Sequence, residues 1–220
     1  MMKNLSAPSF LENDSRPLQI YVATCSNMTA DEYIILARDW LNESCHPHFG
    51  LPYTECVYKP MLDPLCYLQT EGFKVYIVTG GDQDFVRSFS DEVYGIPPEQ
   101  VIGSAIKPQF IEDYGRSSVM KIPEILVIDD VQEKAEQIQL IIGRRPIFAY
   151  SNSDGDIPML QFATGGDRQG MGVLNHHDDP IRQYAYDTDS AVGRLDEGLE
   201  MAGVWAWQVV SMKTDWEYIL

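Results

Sequence analysis

Positive charge is what this chain has least of. Sixteen lysines and arginines stand against 33 aspartates and glutamates, a formal net charge of −17. That balance argues against nucleic acid and against an anionic membrane surface, both of which repel an acidic protein. Cysteine is sparse as well: Cys25, Cys45, Cys56 and Cys66 form no CxxC pair. A reduced, cytoplasmic protein is therefore expected, with two disulfides as the alternative. No apolar run approaches the ~18 residues that span a bilayer, and the polar N-terminus has no hydrophobic signal region. No internal repeat is found; Thr79-Gly80-Gly81-Asp82 recurs only in letters as Thr164-Gly165-Gly166-Asp167.

What is present is ordinary globular material: 45% hydrophobic and 22% charged over 220 residues, enough for one domain or one domain with a subdomain. Residues 1–17 read as a loose lead-in. Leu18 to Thr24 suits a strand or the end of a helix. Thr29 and Glu32 form a capping box ahead of an amphipathic helix containing Tyr33, Ile34, Leu36, Ala37, Trp40 and Leu41. The prolines and glycine of 45–60 read as a connector. Helices are expected over 61–72, 83–93 and 132–142, and from Ile157. Strands are expected at 73–78, 101–106, 125–128, 147–150 and 172–174. Strands alternating with helices of about ten residues imply βαβ units and a mainly parallel sheet.

Three stretches carry residues suited to chemistry. Thr79-Gly80-Gly81 directly follows an apolar strand, where a hydroxyl and backbone N–H groups can meet a phosphoryl oxygen; an ordinary glycine turn is the plain alternative. Lys134 stands just beyond the strand-ending Asp129-Asp130, placed to neutralise phosphate charge unless it is simply solvated. Asn152, Asp154 and Asp156 offer oxygen ligands for Mg²⁺ within five residues, between a strand and a helix, although Asp, Ser and Gly also make plain turns. His176-His177-Asp178-Asp179 and the trio Cys45, His46 and His48 have metal-binding residue types but no second ligand pair at zinc spacing. Trp205, Trp207 and Trp216 suit a core or a docked C-terminus better than a stacking platform.

Taken in order, VTGG, Lys134 and SNSDGDIPML resemble the haloacid dehalogenase superfamily, most of all its phosphoserine-phosphatase-like branch. LPYTECVYKPML, VYGIPPEQVIGS, IGRRPI, HHDDPIRQYAYD and VVSMKTDW extend the resemblance from about Pro17 to Leu220. It implies a Rossmann-like three-layer α/β/α core over 61–220 and a helical cap over 18–60. It also implies an Mg²⁺-dependent phosphomonoester hydrolase acting on a small phosphorylated metabolite. By that resemblance Thr79 and Lys134 are catalytic, Thr79, Gly80, Gly81 and Lys134 bind phosphate, and Asn152, Asp154 and Asp156 hold the metal.

One departure outweighs the agreements. The family's first motif, an apolar strand ending in DxDGT, carries the attacking aspartate and the general acid/base. No DxDGT, DxDxT or DxDxV precedes Thr79. The reading is therefore of a chain that begins after that motif and is catalytically impaired. Two alternatives stay open: a non-catalytic module that binds phosphate or a phosphorylated metabolite, and an interaction partner. A sheet without that strand would expose edges through which the chain could self-associate. A smaller departure is Ser151, where the family usually has glycine.

Overall fold

A computed structural model describes residues 16–185, 188, 190 and 193–220. The lead-in expected over 1–17 thus lies almost wholly outside the described residues. The ambiguity at 18–24 resolves as helix: α1 runs Arg16–Cys25. A two-residue strand β1, Met28–Thr29, leads into α2, Ala30–Glu43. Thr29 Oγ1 accepts from the Glu32 N–H and the Glu32 carboxylate from the Thr29 N–H, so the capping box forms as its spacing predicts.

Helix α3 spans Lys59–Thr70, and strand β2 spans Ile77–Asp82. The strand expected at 73–78 therefore starts later and carries Thr79-Gly80-Gly81 inside it rather than after it. The helix expected over 83–93 is two short pieces, α4 Gln83–Arg87 and α5 Ser90–Tyr94. Strand β3 is Val101–Asp113 and β4 is Arg116–Val127, joined at Tyr114-Gly115, both with positive φ. Positive φ at both turn residues matches the twist of a tight hairpin. The short apolar strand expected at 125–128 is thus the last part of a long antiparallel one. Beyond it come α6 Gln132–Ile142, β5 Phe148–Ser151, α7 Ile157–Thr164, β6 Met171–His176, α8 Glu197–Trp205 and β7 Gln208–Ser211.

The molecule is a mixed α/β fold with two sheets. One has the order β1-β4-β3-β2 and the other β5-β6-β7. β2 and β3 pair in parallel, as do β5, β6 and β7; only the hairpin and β1 are antiparallel. The first six residues of β3 are buried, while most of its remainder stands exposed with the hairpin tip. Helix α6 packs on β2 and β3, α7 packs on β5 and β6, and the two helices touch. One apolar core therefore joins the sheets, through Ile102, Ile138, Ala149, Leu160 and Leu174. At the other end of the fold α1 and α2 pack on the hairpin around Cys25, Tyr33 and Ile106. Trp207 and Trp216 are buried, as expected of core residues, and all four cysteines are free thiols. Among the described residues no helix is long and apolar enough to cross a membrane.

Candidate functional site

Three sequence-distant segments converge where β2 and β5 end. The first is the Thr79-Gly80-Gly81 turn. Thr79 Oγ1 accepts from the Gly81 N–H at 3.1 Å, and both glycines are exposed. The turn lies hard against β3: a Cβ at Gly103 would meet Thr79 Cγ2 at 2.7 Å and the Gly81 carbonyl at 3.0 Å. Only glycine admits that approach. Ser104 then ties the first segment to the second. Its hydroxyl donates to the Gly80 carbonyl at 2.7 Å and accepts from the Asp129 N–H at 2.9 Å. No sequence motif marks Ser104; only its place beside β2 reveals the role.

The second segment is Asp129-Asp130-Val131 with Lys134 on the first turn of α6. Val131 enters the helix at φ +53°, a costly conformation for a β-branched residue, on the order of 1–3 kcal/mol. Lys134 is buried, and its Nζ does two things: it pairs with Asp156 Oδ1 at 2.8 Å and donates to the Val78 carbonyl at 3.3 Å. Asp129 is wholly buried, and neither of its carboxyl oxygens has a hydrogen-bond partner. Burial pushes its carboxyl up to about 6 against the opposing pull of Lys134, and the nearby Asp156 charge adds to the rise.

The third segment is the 151–156 loop. Asp156 Oδ2 accepts from the Ser151 hydroxyl at 2.6 Å and the Ser153 hydroxyl at 3.1 Å. Asn152 makes no side-chain hydrogen bond among the described residues. A Cβ at Gly155 would stand 2.7 Å from Asp130 Oδ1, so the loop is pressed against the second segment. Asp154 faces elsewhere. Its carboxylate accepts the N–H groups of Asp196, Glu197 and Gly198 at 2.8–3.3 Å and so caps α8.

The fold thus brings Thr79, Gly80, Gly81, Lys134, Asn152 and Asp156 to one edge and turns the Asp154 carboxylate to a helix end. Among the described residues no three of His, Cys, Asp and Glu group as a metal cluster. The donors there are oxygens, the kind Mg²⁺ takes. The orphaned pair on Asp129 is what a cation would satisfy, so the donor set fits Mg²⁺ in kind.

The other candidates are structural. Asp178 accepts from the Ser211 hydroxyl and the Lys213 N–H. Asp179 pairs with Arg182, whose guanidinium also donates to the carbonyls of Met212 and Trp216, pinning the C-terminal segment. Buried His177 packs on the Tyr58 ring, and burial lowers its imidazole to about 4. His46 and His48 lie against Phe49. A second buried ionic cluster escaped the sequence reading. Lys121 of β4 pairs with Asp84 at 2.5 Å and lies 3.5 Å from Asp82, which accepts from the Tyr21 hydroxyl at 2.8 Å. Lysine on a strand between polar neighbours gives no sequence signal of burial.

No family model matches the chain, and neither does any curated protein. Among solved structures it is similar to a phosphoserine phosphohydrolase-like protein from Francisella tularensis subsp. tularensis SCHU S4. The identity is 14% and the TM-score 0.41, over 76% of this chain and 78% of that one. A likeness at that level assigns no residue a role.

Proposed function

We propose that this chain is a haloacid dehalogenase-like phosphatase relative. Its site at the ends of β2 and β5 binds the phosphoryl group of a small metabolite together with Mg²⁺, and it turns phosphomonoesters over poorly. The observation that carries the reading is the buried Lys134 ammonium. It joins Asp156 to the Val78 carbonyl, drawing the TGG turn and the SNSDGD loop around a single cation.

In this reading the Thr79 hydroxyl, the Gly80 and Gly81 amides and Lys134 receive the phosphoryl oxygens. Asn152, Asp129 and Asp156 would hold Mg²⁺, and Asp154 fixes the loop by anchoring it to α8. Bound Mg²⁺ supplies charge that stabilises phosphoryl oxygens. Lys134 does the same from the protein side, held in place by Asp156 so that no reorganisation is needed when substrate arrives. What the chain lacks is a carboxylate in a DxDGT setting, hence the covalent route. Unassisted phosphomonoester hydrolysis is among the slowest reactions known, so binding groups alone leave little activity.

The expected result is no turnover of p-nitrophenyl phosphate above buffer at millimolar Mg²⁺. Turnover that disappeared in Lys134→Ala would overturn the impairment. Isothermal calorimetry with inorganic phosphate, with and without Mg²⁺, tests the binding site itself; a saturable heat is expected, strengthened by Mg²⁺ and lost in Lys134→Ala. Flat heats in both conditions would remove the site. The same saturable heat without turnover is what a phosphate-binding module would show.

A further inference from the structure

Two parallel strands, β2 and β5, each end their sheet with one edge unpaired. The two edges border the same groove, about 630 Å³ in volume, lined by residues 72–76 and 78 on one side and 144–150 on the other. They point the same way. The residues preceding both strands lie together in the groove wall, and Lys134 joins the carboxyl end of β2 to the loop after β5. Helices cover the groove: Ile138 and Ile142 of α6 line it, as do Met61, Leu65 and Leu68 of α3. Helix α3 has no buried residue although these apolar side chains face the groove.

Unpaired parallel edges are unusual, because parallel strands depend on partners and cover. A strand residue covered on both faces occupies a rise of about 3.3 Å, a strand spacing of about 4.8 Å and a sheet thickness of about 10 Å, roughly 160 Å³. The groove therefore has room for about four strand residues, the length of β5. Charge adds a direction. In a chain of net charge −17, Lys74, Arg144 and Arg145 line the groove and no carboxylate does. All three cations stand just ahead of the strands, at the end where a parallel strand would enter.

We propose that the groove is the seat of one β-strand from another polypeptide: an extended, apolar segment of about four residues, preceded by acidic residues. It lies parallel to β2 and β5 and joins the two sheets into one. A second folded copy does not meet these demands. Two-fold pairing sets like edges antiparallel, and an edge strand already in a sheet cannot enter a slot flanked on both sides. The inference rests on the edges, the groove and its charge, and holds whether or not the site at the strand ends turns over phosphate.

The test uses the full chain and a fluorescein-labelled peptide of two glutamates, Ile-Val-Ile-Val and a Ser-Gly tail, read by anisotropy and amide exchange. Saturable binding is expected, with exchange slowed at Ile77–Asp82 and Phe148–Ser151. Replacing the two glutamates by lysines should weaken binding at least tenfold. So should Ile147→Glu and Leu65→Glu, both on half-open positions whose loss leaves the fold intact. Ile181→Glu, an exposed site away from the groove, should leave affinity unchanged. Absence of binding would overturn the proposal. So would β2 and β5 amides already protected in the free chain, which would mean a segment of the chain itself fills the groove. Dimerisation with protection at both strands would assign the groove to a second copy and overturn it equally.

Discussion

Lys134 shows how far a single residue can be read. Its place after a strand-ending Asp-Asp marks it as a candidate, but its partners lie 22 residues on at Asp156 and 56 residues back at Val78. Asp129 and His177 were beyond such reading, because their burial depends on neighbours remote in sequence. His177 carries a consequence for stability. Its folded imidazole is lowered to about 4 by burial, whereas an unfolded one titrates near 6.5. The group therefore costs nothing above pH 6.5. As pH falls from 6.5 towards 4 the unfolded chain takes up a proton that the folded chain refuses, and stability is lost. His177→Gln should remove that loss. Urea titrations at pH 7 and pH 4.5 should show wild type losing on the order of 2 kcal/mol more than the variant. Equal losses would mean the imidazole is not held neutral.

Elements differ in legibility according to whether their stabilising partners are local. The capping box of α2, the span of α6 and the Ile157 start of α7 follow from residues within a turn of each other, and all three form where expected. The β3–β4 hairpin was missed beyond Ile106 and before Ile125. Its outer part is largely solvent-exposed, so it carries no hydrophobic period to read. Helix α8 was missed for a different reason. Its first-turn N–H groups are satisfied by Asp154, more than 40 residues away, and not by its own Asp196 side chain. Asp154→Ala should therefore loosen α8 by about 1–2 kcal/mol. Faster amide exchange is expected over Glu197–Trp205, with phosphate binding retained. Unchanged exchange there would show that α8 holds by packing alone; lost phosphate binding would return Asp154 to the site itself.

At the scale of the whole molecule, the net charge of −17 acts on the compact state as self-repulsion. Raising salt from about 10 mM to about 150 mM shortens the screening length from roughly 30 Å to 8 Å. The melting temperature should rise by about 2–4 °C, the equivalent of roughly 1 kcal/mol for a chain of this size. A fall would mean that attractive pairs, Lys121–Asp84 and Lys134–Asp156 foremost, outweigh the repulsion. The sequence alone determined the α/β alternation, most of the element boundaries and the three segments that could meet a phosphoryl group, because periodicity, capping and turn chemistry act within a few residues. Only the tertiary structure decided the rest. It divided the strands into two sheets, turned Asp154 towards α8, buried Asp129 without a partner and left β2 and β5 facing one another across an apolar groove. Each of those outcomes depends on contacts between residues far apart in the chain, and no local pattern encodes them.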